Sequence, residues 1–159
     1  MFYDTVDDQI VKNILSTTKT IAMVGVSSIK KYQDPKNIKR RPSIIVMKYL
    51  QEFGYRVLPV NPLAEGKTIY GEKVVAKLKD IAVPIDIVNI FRPSKEAPIF
   101  AEQAVKIGAK VLWLQFGIQN QKAQEIVELA NITYIANKCI KQEYQRLFLK
   151  MSPVFPVLQ

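Results

Sequence analysis

The sequence predicts one α/β domain over residues 1–159, built on a doubly wound, mainly parallel five-stranded sheet with helices on both faces. Short apolar, β-branched runs alternate with segments that have helical periodicity. Strands that are apolar along their whole length are buried on both faces, as in parallel sheets, and the helices between them serve as crossovers. We expect an amino-terminal helical segment at 1–18 and an extended tail at 151–159.

The five predicted strands are short, and each one stops at a glycine or at a polar residue. In chain order they cover residues 20–24, 55–60, 85–91, 109–114 and 132–136. Between the second and third strands we expect a loop over 63–71, with an extended piece at 68–70.

Helices are predicted wherever apolar residues recur at helical spacing. They cover residues 4–16, 42–53, 75–80, 95–107, 119–130 and 140–150. Asp4 and Ser94 are expected to cap helix starts, and Pro42 suits a first helical turn because its missing N–H would be unpaired there. Gly54 and Gly108 suit helix ends, where glycine adopts a left-handed conformation.

The composition excludes several classes of function. The absence of histidine removes Ser–His and Cys–His catalysis and most zinc sites. No other catalytic constellation is recognisable, so we expect a protein that is not an enzyme and holds no metal. No apolar run approaches the roughly 20 residues of a membrane span, the start does not resemble a secretory signal, and there is one cysteine, so we expect a cytoplasmic protein.

The chain is basic, with a net charge of +9, and would attract polyanions. Six of its 23 basic residues lie between Lys30 and Arg41, and a cluster in one loop favours a compact anionic ligand over a long polymer. No nucleic-acid-binding motif is present, so a nucleic-acid partner is not expected. A protein partner or a homodimer stays open.

The candidate binding residues follow the strands. In doubly wound sheets, ligands bind beyond the carboxyl ends of the strands, near the point where the strand order reverses. The residues in the four relevant loops are Gly25, Val26, Ser27 and Ser28; Asn61 and Pro62; Phe91, Arg92 and Pro93; and Gln115, Phe116 and Gly117. Phe91 and Phe116 could either stack on a base or pack in the core.

The loop after the first strand is predicted to hold phosphate. Gly25 lets the backbone approach a phosphate group closely, where a Cβ would intrude. The helix that starts at Pro42 and Ser43 offers free N–H groups and the positive end of its dipole. Arg40 and Arg41 precede it, and guanidinium groups can pair with phosphate through two hydrogen bonds.

The pattern departs from the dinucleotide fingerprint G-x-G-x-x-G. Ser27 and Lys30 stand where the second and third glycines would be, and the second strand ends in Asn61 instead of the acid that holds a ribose diol. A ribose that carries a 3′-phosphate has no use for that acid, which favours coenzyme A. An NAD(P)-binding regulator or oxidoreductase is the alternative, with NADP the better fit because basic residues could hold its 2′-phosphate.

The chain resembles the small stand-alone CoA-binding domain proteins, which are related to the amino-terminal domain of the succinyl-CoA synthetase alpha subunit. Six segments carry the resemblance, in order over about residues 20–147: IAMVGVS, RPSIIVMKYLQEFGYRVLPVNP, IYGEKV, DIVNIFRPS, GAKVLWLQFGI and NKCIKQEYQRL. The resemblance implies a Rossmann-like fold and a CoA-binding protein without an assigned catalytic activity. The basic stretch over 28–40 is longer than the usual loop of the family.

The resemblance also implies where the ligand lies. The CoA pyrophosphate would sit at the Gly25 to Ser28 loop and at the helix start marked by Arg41, and the adenosine would lie against the Asn61 and Phe91 loops. Whether free CoA or an acyl-CoA is bound stays open.

Two features of the last predicted helix are considered separately. Cys139, at its start and near two lysines, is a candidate redox contact for the CoA thiol, or alternatively a small packing residue. Glu143 and Arg146 are three residues apart, and we expect them to form a structural ion pair.

Overall fold

Residues 6–26 and 42–150 are described by this computed structural model. The predicted cap Asp4, the whole basic stretch 28–41 and the tail 151–159 lie outside the described residues. The α-helices are α1 (Asp8–Thr17), α2 (Pro42–Glu52), α3 (Ala97–Ile107), α4 (Gln121–Leu129) and α5 (Ile140–Phe148). The strands are β1 (Thr20–Val24), β2 (Arg56–Val60), β3 (Thr68–Ile69), β4 (Glu72–Lys73), β5 (Ile87–Ile90), β6 (Val111–Leu114) and β7 (Thr133–Ile135).

Five strands form one parallel sheet in the order β2-β1-β5-β6-β7. The strand order reverses between β1 and β5, because the chain first winds outward from β1 to β2 and then continues on the other side of β1. This is the topological switch point of a doubly wound sheet. The predicted Rossmann-like α/β fold is therefore confirmed.

The sheet separates two apolar cores. Helices α1, α2 and α5 cover one face and meet side chains such as the fully buried Trp113. Helices α3 and α4 cover the other face, where α3 buries Ala97, Ala101 and Ala104 on successive turns. These small side chains leave room for α3 to lie close to the sheet. Burial of each large apolar side chain contributes about 1.5–3 kcal/mol to the stability of the fold. Because successive residues of each strand point to opposite faces of the sheet, the strands contribute such side chains to both cores.

The helix predicted over 75–80 is wrong. Val75 is extended and pairs in parallel with Val60 at the outer edge of β2, and only Leu78–Asp80 forms a short 3-10 helix. Before it, β3 and β4 form a hairpin whose two turn residues, Tyr70 and Gly71, both have positive φ, as a type I′ turn requires. The local apolar spacing was that of a strand edge, which a single sequence does not separate from a short helix.

Two predicted caps are also wrong. Helix α1 is capped by Asp7, whose Oδ1 accepts a 2.9 Å hydrogen bond from the Ile10 N–H. Ser94 does not cap α3, because Ser94–Glu96 forms a 3-10 turn first and α3 begins at Ala97. The Ser94 hydroxyl instead accepts a hydrogen bond from the Gln119 N–H, at 3.1 Å. Ser94 therefore ties the start of α3 to the loop after β6.

Helices α1 and α5 are held together by a charged cluster. Arg146 pairs with Glu143 at 2.8 Å, as predicted, and also forms two 2.8 Å hydrogen bonds with Asp8 of α1. The hydrogen bonds that Arg146 donates to Asp8 and Glu143 raise the pKa of Arg146 further above its usual value. Within residues 6–26 and 42–150, no helix, including α1 and α5, combines the length and apolar character that a bilayer crossing requires.

Candidate functional site

A cleft of about 980 Å³ opens at the topological switch point. Its floor contains Val24 and Gly25 at the end of β1 and Val60 at the end of β2. The start of α2, the loops after β2 and β5, the segment after β4 and one face of α3 form its walls. This is the position at which open parallel sheets bind ligands.

Gly25 is the part of the floor that lies in closest contact with the loop after β5. Its φ is +95°, a conformation that favours glycine. A Cβ placed there would lie 2.9 Å from Cδ of Arg92 and 3.3 Å from the carbonyl carbon of Phe91. The Gly25 N–H donates to the Val60 carbonyl oxygen at 3.0 Å. Gly25 therefore lets the loop after β5 cross directly over the end of β1.

The first turn of α2 faces the same space. Pro42 and Ser43 line the cleft, and Ser43 is buried. The first N–H groups of a helix have no partner within the helix, and the helix dipole places partial positive charge there. An anionic group in the cleft would meet both features, as in many phosphate sites.

Arg92 extends over Gly25 and is held by Glu96. The guanidinium Nε and Nη2 donate to the two carboxylate oxygens at 3.0 Å and 2.9 Å. These hydrogen bonds raise the pKa of Arg92 and lower the pKa of Glu96. Both groups are charged at neutral pH, so Glu96 positions the guanidinium and does not carry a transferable proton.

Asn61 shapes the opposite wall. Its Oδ1 accepts from the Leu63 N–H at 2.9 Å, and its Nδ2 donates to the Val26 carbonyl oxygen at 2.7 Å. The side chain thus bridges the loops after β1 and β2. The residue at the end of the second strand supports the fold of the cleft and offers no carboxylate to a ribose.

One face of α3 provides an apolar wall. Phe100, Gln103 and Ile107, spaced at three and four residues, line the cleft together with Ala76. Apolar walls with one amide group match the surface of a purine base, whose faces are apolar and whose edge forms hydrogen bonds. The sequence analysis did not select these residues, although their helical spacing was visible.

Five cationic side chains and one carboxylate line the described part of the cleft. Four of the cations are lysines that the sequence analysis did not select: Lys67, Lys77, Lys79 and Lys106. The fifth is Arg92, and the carboxylate is its partner Glu96. None of the four lysines forms an ion pair within residues 6–26 and 42–150. The cleft is therefore strongly positive.

The structure brings together seven of the predicted site residues. Those that line the cleft are Gly25, Pro42, Ser43, Asn61, Pro62, Phe91 and Arg92. Ser27, Ser28, Arg40 and Arg41 lie outside the described residues. Val26 is fully buried and Pro93 is exposed, and neither residue lines the cleft.

The loop after β6 is not part of the cleft lining. Gln115 is buried, and its Oε1 accepts hydrogen bonds from Asn89 Nδ2 and from the Ile140 N–H at the start of α5. The Gly117 N–H donates to Asn137 Oδ1 at 2.7 Å. Phe116 is 74% exposed and packs in neither core. In this structure, Gln115 ties the loop to the start of α5 and Gly117 ties it to the segment between β7 and α5.

Cys139 directly precedes α5 and is half-buried. It packs with the core on the α1, α2 and α5 face of the sheet and does not line the cleft.

The fold and the cleft define a class: a small parallel α/β domain with a cationic, nucleotide-sized cleft at its switch point. The CoA binding domain family matches residues 19–145, which is most of the chain. The chain therefore belongs to the CoA binding domain family.

Individual proteins are similar to this chain over most of their length. Uncharacterized protein YneT of Bacillus subtilis is 38% identical over 131 residues, covering 82% of this chain and 89% of that protein. A hypothetical protein from Pyrococcus horikoshii has a solved structure with a TM-score of 0.80 and 37% identity, covering 92% of this chain and 96% of that one.

A larger protein shares the fold. The apo form of an acetyl-coenzyme A synthetase from Candidatus Korarchaeum cryptofilum matches with a TM-score of 0.57 and 20% identity. The match covers 75% of this chain and 26% of that chain. At this identity, the likeness concerns the fold alone.

Proposed function

We propose that this protein binds coenzyme A, free or as an acyl thioester, in the cleft at the switch point, and that it does so without catalysing a reaction. The observation that carries the proposal is the coincidence of three anion-binding features around Gly25. They are a close backbone approach, the first turn of α2, and the guanidinium of Arg92. Membership of the CoA binding domain family supports the same ligand.

The pyrophosphate would lie at Gly25, between the start of α2 and Arg92. The adenosine would lie between the loop containing Asn61 and Pro62 and the loop containing Phe91. Pyrophosphate on a helix N-terminus gains from both the N–H groups and the dipole. From the sequence, we further propose that Ser27, Ser28, Arg40 and Arg41 contribute hydroxyl and guanidinium groups to the same phosphates.

The absence of catalysis is supported by the chemistry of the residues at hand. The chain has no histidine to carry a phosphoryl group or to act as a general base. Glu96, the carboxylate of the described cleft lining, is occupied by Arg92 and has a lowered pKa. A general acid or base near neutral pH needs a pKa close to 7.

An NAD ligand is disfavoured by Asn61. An NAD site uses an acid at the end of the second strand to bind the ribose diol. Here both polar atoms of the Asn61 side chain already form hydrogen bonds within the protein.

Isothermal titration of the purified protein with CoA, NADH and NADPH tests the proposal. We expect CoA to bind and NADH to give no measurable heat. If NADPH bound with an affinity equal to or above that of CoA, the proposed ligand would be a dinucleotide instead of CoA. An absence of heat with all three ligands, confirmed by unchanged thermal unfolding, would reject the assigned ligand class.

A further inference from the structure

The cleft has a second cationic wall, separate from the phosphate-binding features around Gly25. Lys77 and Lys79 project from the segment that follows β4, on either side of Leu78. Leu78 is 1% exposed and anchors this segment in the core beneath α3. The two lysines are therefore mounted on a fixed element.

Backbone hydrogen bonds hold this element in place. The Val75 N–H donates to the Pro59 carbonyl oxygen at 3.1 Å, and the Val75 carbonyl oxygen accepts from the Asn61 N–H at 2.9 Å. These two bonds fix the residue that precedes the wall to the end of β2. Asp80 then accepts from the Lys77 N–H at 3.2 Å and closes the 3-10 turn. The Leu78–Asp80 turn packs against α3, whose last turn carries Lys106 into the same cleft.

The positive charges of Lys77 and Lys79 are not neutralised by ion pairs within the described residues. The ammonium groups of Lys77 and Lys79 form no ion pair with any carboxylate in the described residues, and the carboxylate of Asp80 does not line the cleft. Like charges on neighbouring residues repel each other, and this repulsion is offset when an anion binds between them. A compact dianion such as a phosphomonoester fits this wall better than a single carboxylate.

We infer that Lys77 and Lys79 recognise the ribose 3′-phosphate of the ligand and make the cleft selective for nucleotides that carry a third phosphate. This inference rests on the proposed CoA function and assigns the selectivity to the wall after β4 instead of to the basic stretch over 28–40. The two lysines act as specificity-determining residues, while Gly25, α2 and Arg92 bind the pyrophosphate that all such ligands share.

Titration of three double variants with CoA and dephospho-CoA tests the inference. The wall variant is Lys77→Gln/Lys79→Gln. The loop variant, Lys36→Gln/Lys39→Gln, removes the same charge from the basic stretch. Lys19→Gln/Lys122→Gln is the control for net charge, because neither residue lines the cleft. Thermal unfolding of each variant verifies the fold.

In the wild type, CoA should bind about tenfold or more tightly than dephospho-CoA, as expected for charge-assisted hydrogen bonds to one phosphate. The wall variant should lose this preference by weakening CoA binding while dephospho-CoA changes by about twofold or less. The loop variant and the control should keep the preference. Lys77→Arg/Lys79→Arg, which preserves the charge, should also keep it.

The outcomes separate the two proposals. If the wild type binds neither ligand, the proposed CoA function fails. If the wild type binds both ligands equally, or if the wall variant keeps the preference for CoA, the inference about Lys77 and Lys79 is overturned while CoA binding stands. Loss of the preference in the loop variant alone would assign recognition of the 3′-phosphate to the basic stretch instead of to Lys77 and Lys79.

Discussion

Gly25 lies directly beneath the Arg92 side chain, so close that a methyl group on Gly25 would approach Arg92 Cδ to 2.9 Å. The end of β1 and the loop after β5 therefore depend on each other at the centre of the cleft. Arg92 is fixed from the other side by Glu96. The phosphate-binding geometry that we propose depends on this contact.

Replacing Gly25 by alanine should abolish or strongly weaken CoA binding. The added Cβ displaces Arg92, and a φ of +95° adds backbone strain of about 1 kcal/mol or more for a residue other than glycine. Gly54→Ala is the matched control, because its φ is +97° and no atom lies within 4 Å of its added Cβ. Titration with CoA and thermal unfolding distinguish the two effects. Equal CoA binding by both variants would contradict the proposed role of Gly25.

Arg92→Lys should weaken CoA binding about tenfold, because an ammonium group cannot reproduce the planar two-point hydrogen bonding of a guanidinium. Stability should change by less than about 1 kcal/mol, since exposed ion pairs contribute little. Arg56→Lys offers a control, because Arg56 forms a similar exposed pair with Glu72 outside the cleft. Unchanged CoA affinity in Arg92→Lys would show that Arg92 does not bind the ligand.

Arg146→Met should lower the free energy of unfolding by about 1–3 kcal/mol, because it leaves the nearly buried Glu143 carboxylate without its cationic partner. Asp8→Asn should have a smaller effect, since Asp8 is 66% exposed at its side chain. Chemical denaturation measures both. CoA affinity should not change in either variant, because the cluster joins α1 to α5 and none of its residues lines the cleft.

Asp86 should make stability fall at acid pH. Burial opposes its charge, but N–H groups of Lys19 and Thr20 and the ammonium of Lys110 outweigh this and lower its pKa. The stabilisation is complete above the ordinary aspartate pKa of about 3.9, and it is lost as the pH falls from there through the lower native pKa. Asp86→Asn should be less stable at neutral pH, by about 1 kcal/mol, and should approach the wild type at low pH. A constant difference across pH would contradict this account.

The main sheet was predictable because its strands carry their own signal. Residues 21–24 of β1 and Val111–Leu114 are apolar throughout, and burial on both faces is the physical reason. The Tyr70–Gly71 hairpin and the edge segment at Val75 were not predictable in the same way. The segment at Val75 is held extended by pairing with the end of β2, and the hairpin before it pairs only within itself, between β3 and β4.

The candidate site was predictable where it depends on topology. Gly25, Asn61 and Arg92 follow neighbouring strands of the sheet and meet at the switch point for that reason. The helical spacing of Phe100 was visible in the sequence, but the place of Phe100 and Lys77 in the cleft depends on how the segment after β4 packs against α3. The loop after β6 also follows a sheet strand, yet it lies away from the cleft because Gln115 is drawn into the contact with α5.

The most direct test of the central claim is a crystal structure of the protein grown with saturating CoA. We expect density for the ligand in the cleft at the switch point, with its pyrophosphate within hydrogen-bonding distance of the first N–H groups of α2 and of Arg92. An empty cleft at saturating CoA, or a ligand bound at another surface, would contradict the proposed site.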